Sequence, residues 1–179
     1  MTARKREVCE AFSVGTAATS ISTTVIDNGT GLAWTNTEVS GASAHDTATI
    51  GGQGVIAATE TVTYSFFSNG GCTGSATTTQ TVTVNADGTV PDSSSTGALA
   101  AGSYAFRAAY SGDGNYDAAT GSCEPFTVKA TTTVATTVFD DATSAAWSGS
   151  EQTGASAHDT ASIGGQGATP ASGSVTYRF

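Results

Sequence analysis

Apolar and polar residues alternate along much of this chain with a period of two. In Thr61-Val-Thr-Tyr-Ser-Phe-Phe67, Val62, Tyr64 and Phe66 fall on one side, with Thr and Ser on the other. Successive side chains of a strand point to opposite faces, so this pattern predicts a strand with those three residues facing a core. Over residues 99–110 the same period gathers Tyr104, Phe106, Ala108 and Tyr110 on one face and Ala105, Arg107 and Ala109 on the other. Further strands are predicted over 19–26, 44–50, 80–84 and 124–128. Residues 34–39 read as a short strand or an irregular edge, with Trp34 as a core plug. Turn-forming clusters separate these runs at 27–31, 51–54, 68–71, 85–88 and 111–116, and residues 91–96 read as loop. No long segment spaces its apolar residues at helical intervals. The expectation is an all-β chain of about seven short antiparallel strands per unit, folded as a β-sandwich.

The pattern is written more than once. Residues 41–48, Gly-Ala-Ser-Ala-His-Asp-Thr-Ala, recur letter for letter at 154–161. The offset of 113 holds without a gap from Thr19/Thr132 to Phe66/Phe179, and 27 of the 48 aligned pairs are identical, Trp34/Trp147 and Glu38/Glu151 among them. Cys9-Glu-Ala-Phe-Ser-Val14 is in turn similar to Cys123-Glu-Pro-Phe-Thr-Val128. The expected organisation is the tail of one repeat at 1–16, a complete domain at 17–129, and the opening part of a second at 130–179, cut from a longer polypeptide. A unit of about a hundred residues can bury its own core, whereas solenoid repeats of roughly 20–50 residues lean on their neighbours. Residues 132–179 carry only the opening strands, so they are expected to be less ordered than 17–129, or to order only by pairing with another molecule.

Charge narrows the range of partners. The net charge is −9, and three of the six basic residues are Arg4, Lys5 and Arg6, which leaves the repeats almost purely acidic. Such a surface repels nucleic acid and anionic membrane, and the basic run is expected to be a solvated tail. No apolar stretch is long enough for a transmembrane helix or a signal peptide. Of three cysteines, Cys9 and Cys123 hold the same place in successive repeats, so Cys72 and Cys123 are the natural pair within one domain and Cys9 is left over. Closing that loop is worth about 4 kcal/mol on the chain-entropy estimate. A disulfide implies an oxidising, extracellular setting, secreted or at a cell surface.

Two segments carry a resemblance. Leu99-x-x-Gly102-x-Tyr104 is similar to the tyrosine corner of immunoglobulin and fibronectin-type sandwiches, which implies a Tyr104 that is largely buried with its hydroxyl bonded to backbone near Leu99. Residues 101–116, Ala-Gly-Ser-Tyr-Ala-Phe-Arg-Ala-Ala-Tyr-Ser-Gly-Asp-Gly-Asn-Tyr, resemble the signature of bacterial immunoglobulin-like repeats. Thr61-Val-Thr-Tyr64 is similar to that family's Gly-Thr-Val-Thr-Phe/Tyr strand, with Glu60 in place of the Gly and Gly173 in the second copy. The resemblance covers residues 19–128 and 132–179. It implies tandem immunoglobulin-like domains of a bacterial surface or secreted protein, with neighbouring repeats of the same chain as partners. The function expected from it is a structural spacer or stalk, as in an adhesin. The alternatives are a module that binds a glycan or host protein, or an accessory domain of an extracellular hydrolase.

Candidate chemistry is sparse. His45-Asp46 occurs in both copies, but consecutive strand residues face opposite ways and the two histidines belong to different repeats. No zinc spacing and no Gly-x-Ser-x-Gly elbow are present. Gly51-Gly-Gln-Gly54 precedes neither a Lys nor a helix, so it reads as a flexible turn rather than a phosphate loop. An isopeptide crosslink needs a buried Lys, and only Lys5 and Lys129 exist. Asp113, Asn115 and Asp117 set oxygens at alternate positions and are candidate calcium ligands; the competing expectation is that Asp113 and Asn115 bond their own turn. No catalytic residue and no cofactor are expected.

Overall fold

The computed structural model describes residues 9–167 and 170–178; Arg4, Lys5, Arg6 and Phe179 lie outside them. Among the described residues the chain is all β, with no helix. The strands are β1 (Ser20–Asp27), β2 (Ala44–Gly51), β3 (Thr61–Phe67), β4 (Thr78–Thr83), β5 (Gly102–Tyr110), β6 (Ala119–Thr120), β7 (Glu124–Val128), β8 (Thr133–Asp140) and β9 (Ala157–Gly164).

Every strand pairing is antiparallel. β1 pairs β2 from Ser20↔Gly51 to Asp27↔Ala44. A five-stranded sheet runs β4-β3-β5-β6, with β7 on the same edge of β5 as β6. The inward residues of β1 and β2 (Ile21, Val25, Ala44, Ile50) pack against those of β3, β5 and β7 in two adjoining apolar clusters. Ile21, Val62, Tyr64, Ala108 and Tyr110 fill one; Val25, Phe66, Leu99, Phe106, Phe126 and Val128 fill the other. Two layers with the core between them are consistent with a β-sandwich. The faces expected for residues 62–66 and 104–110 are the faces observed. Tyr104 departs in degree: it is half-buried, stacked on Phe66 and tilted against Phe126 at the end of the cluster.

Residues 91–96 are more than a loop. The N–H groups of Ser93, Thr96 and Leu99 donate to the carbonyls of Asp46, Ala44 and Ala42, at 2.8–2.9 Å. Three residues of this segment advance for every two of β2, so it lines the β2 edge without a regular ladder. Residues 34–39 likewise form no strand; an isolated parallel bridge joins Val39 to Lys129.

The second copy repeats the first hairpin. β8 pairs β9 from Thr133↔Gly164 to Asp140↔Ala157, which is the β1–β2 register shifted by 113. Val175 and Tyr177, the counterparts of Val62 and Tyr64, lie in no strand and are exposed. In the first copy β3 is held between β4 and β5, and among the described residues no such strands flank 175–177.

Candidate functional site

Cys72 and Cys123 form a disulfide with Cα atoms 5.8 Å apart, closing a 51-residue separation. It lies on the outer face of the five-stranded sheet, away from the main core. Phe67 leaves the core-facing row of β3 because it follows Phe66 directly, and it packs on the outer face with Ala105, Ala76 and the two cysteines. The Arg107 guanidinium stands 5.5 Å from the Phe67 ring centroid, a cation–π contact. The crosslink thus ties the loop after β3 to the start of β7, across the central strand β5. Cys9 is a free, exposed thiol.

The tyrosine of the predicted corner donates its hydroxyl to the Ala100 carbonyl at 3.0 Å, one residue past Leu99, whose side chain is buried beside Phe106 and Phe126. Trp34 is half-buried. Its ring meets Phe126 edge-on at 4.9 Å, and its Nε1–H donates to the Thr127 carbonyl at 3.0 Å. This pins the irregular 34–39 segment onto β7, where Thr127 N–H also donates to Asn36 Oδ1 at 2.8 Å.

Residues 111–117 serve as a junction of loops. Asp113 accepts from Asn115 N–H and Tyr116 N–H on one oxygen, and from Thr59 N–H and the Thr59 hydroxyl on the other, at 2.7–2.9 Å. These donors, the Asn115 N–H foremost, hold its carboxyl well below the usual carboxylate range. Tyr116 is buried; its hydroxyl accepts from Gly54 N–H at 2.8 Å and donates to the Ile56 carbonyl. Asp117 accepts from the Thr16 hydroxyl. Asp113 is therefore engaged by its turn and by Thr59, and among the described residues no three His, Cys, Asp or Glu side chains are gathered for a metal.

His45 and Asp46 face opposite ways. The His45 ring reaches Asn28 Oδ1 (2.5 Å) and lies 3.8 Å from Asp92. In the second copy His158 meets Asp141 at 2.6 Å, at the position equivalent to Asn28. In each copy the imidazole latches the turn that follows the first strand. Asp46 points inward, fully buried, and among the described residues neither of its carboxylate oxygens has a hydrogen-bond partner. Burial, then the neighbouring Glu124 and Asp92 carboxylates, push its carboxyl up to about 8.

One residue was not singled out by the sequence. Gln53, inside the glycine cluster, donates to the Ile50 and Gly88 carbonyls and accepts from Ala58 N–H. Gln166 does the same for Ile163 and Ala171. The turn expected to be flexible is thus bracketed by its own amide side chain. The signal was there to see: Gln is the single non-glycine in a four-residue run kept in both copies.

Compared with protein-family models, with curated proteins and with solved structures, the chain matches none.

Proposed function

We propose that this chain is a piece of a tandem array of immunoglobulin-like sandwiches that acts as a spacer or stalk in a secreted or cell-surface bacterial protein. Residues 17–129 are the complete unit and 130–179 begin the next. The observation that carries the reading is the repetition itself: an eight-residue hairpin pairing, its histidine latch and its glutamine bracket recur at an offset of 113. Arrays of similar folded units supply length, and each junction adds a fixed increment. The junction here is short and bonded. The Lys129 N–H donates to the Glu38 carbonyl, and the Ser40 N–H donates to the Lys129 carbonyl, before β8 begins at Thr133. The disulfide supports an oxidising, extracellular location and limits how far the unit extends under load.

Small-angle scattering on two, three and four concatenated copies of residues 17–129 tests this. The maximum dimension is expected to grow by a constant step per copy. Growth that levels off as the copies collapse onto one another would contradict the spacer role.

A further inference from the structure

We propose that Asp46 of β2 and Glu124 of β7 share one proton, which clasps the two layers of the first unit together. In mild base the proton leaves, and the edge between β1 and β7 opens to water. The clasp lies wholly within residues 17–129 and holds whether or not the unit is a spacer.

The two carboxyls come from opposite layers. Asp46 shares the inward face of β2 with Ala44 and Ile50, and its cross-strand partner is Val25 of β1. Glu124 shares the inward face of β7 with Phe126 and Val128, and lies opposite Phe106 of β5. Strand parity thus aims both side chains between the sheets, where the Glu124 carboxyl lies within hydrogen-bond reach of Asp46. Asp46 is 0% exposed. Asp46 Oδ1, Asp46 Oδ2 and Glu124 Oε2 are all buried, and among the described residues none of them has a hydrogen-bond partner. The inward member is duplicated: Asp159, the copy of Asp46, has a buried Oδ1 in the same condition.

No positive charge faces the pair. The 91–96 segment brings the Asp92 carboxyl near Asp46, and β3 brings the Tyr64 hydroxyl, which donates to the Pro91 carbonyl at 3.0 Å. β1 and β5 add only Val25, Phe106 and Ala108. Arg107 stands over Phe67 on the outer face of the five-stranded sheet, and the His45 ring turns away to Asn28. Among the described residues no ion pair involves Asp46 or Glu124. Two ionised carboxylates side by side in such a core repel strongly, and a single proton resolves the conflict. An Asp46 O–H that donates to the Glu124 carboxylate removes one charge and joins groups otherwise left unsatisfied. The clasp also has a route to solvent. Glu124 lines a 450 Å³ cleft between β1 and β7, walled by Thr24, Trp34 and Ser122. Among the described residues β1 and β7 share no ladder, so side chains hold that edge closed. Once the proton is gone, water entering the cleft hydrates the two charges, and this edge yields before the laddered interior.

Carbon-13 NMR of the full chain, labelled at its Asp and Glu carboxyl carbons, tests the shared proton. The Asp46 and Glu124 resonances are expected to respond together in one basic step, as an interacting pair does. Glu124→Gln should lower the Asp46 step by about one pH unit or more, a tenfold loss of proton affinity, and Asp92→Asn should move it less. Hydrogen exchange, corrected for its intrinsic acceleration by base, tests the opening. Amides of β1 and β7 are expected to lose protection through the same step while those of β3 keep theirs. Asp46→Asn, whose amide donates to Glu124 without titrating, should hold the edge closed over that range, and Glu124→Gln serves as the second variant, with its loss of protection shifted to lower pH alongside the Asp46 step. Carboxyl resonances that titrate in unrelated steps, an Asp46 step unmoved by Glu124→Gln, or protection lost equally along β3 would each overturn the proposal.

Discussion

Asp46 shows how much one buried group can impose. Its carboxyl is pushed up to about 8, against about 4 in an unfolded chain. Between those values the folded state keeps a proton that the unfolded state has lost. Its contribution to stability is therefore full below about pH 4 and is lost as pH rises through about 8. The unfolding midpoint is expected to fall between pH 5 and pH 9, and Asp46→Asn should flatten that slope; equal slopes for the two proteins would refute the assignment. Asp113 acts with the opposite sign. Its depressed pKa means that its contribution is present above the ordinary carboxylate range and lost on strong acidification. The pH–stability curve should thus peak in mild acid, and Asp113→Ala should shrink its acid limb, to which the lowered Glu38, Asp87 and Asp141 carboxyls also contribute. For Tyr104, deleting the hydroxyl bonded to Ala100 should cost about 1 kcal/mol in a denaturant titration of Tyr104→Phe. An unchanged midpoint would mean that the corner contributes nothing.

Among the elements, what the sequence made legible is what depends on period and turn chemistry. β3, β5 and β7 follow from alternation over five or more residues, and the disulfide partners follow from counting cysteines per repeat. What stayed hidden is held by partners distant in sequence. Residues 92–99 carry Asp, Ser and Thr without alternation, and only the β2 edge gives them a path. β6 is two residues long and has no pattern to show. Phe67, the last residue of β3, falls on the strand face occupied otherwise by Thr and Ser, and the outer-face cluster that it joins under the disulfide leaves no trace in the alternation. The inward aim of Asp46 follows from β2 parity once Ala44 and Ile50 face the core, but a lone His-Asp pair does not say which of the two turns in. Glu60 is a further case. It sits at φ 70° immediately before β3, where the second copy has Gly173 at φ 122°. A left-handed conformation costs a non-glycine residue about 1–2 kcal/mol, offset in part by the greater unfolded-state entropy of glycine. Glu60→Gly is expected to raise the free energy of unfolding by roughly 0.5–1 kcal/mol. A loss of stability would show that Glu60 makes contacts that outweigh its strain.

At the scale of the whole molecule, residues 17–129 on the proposed function are a mechanical unit whose extension is set by the Cys72–Cys123 crosslink. When the chain is pulled from its ends in a single-molecule force experiment, the 51-residue span between Cys72 and Cys123 stays closed while the rest of the unit unravels. At about 3.5 Å per residue, reducing the disulfide should lengthen the unfolding step of this unit by about 18 nm. A discrete step that is short under oxidising conditions and longer by that increment under reducing ones is the predicted result. A step of the same length in both conditions, or an extension with no discrete step, would contradict it.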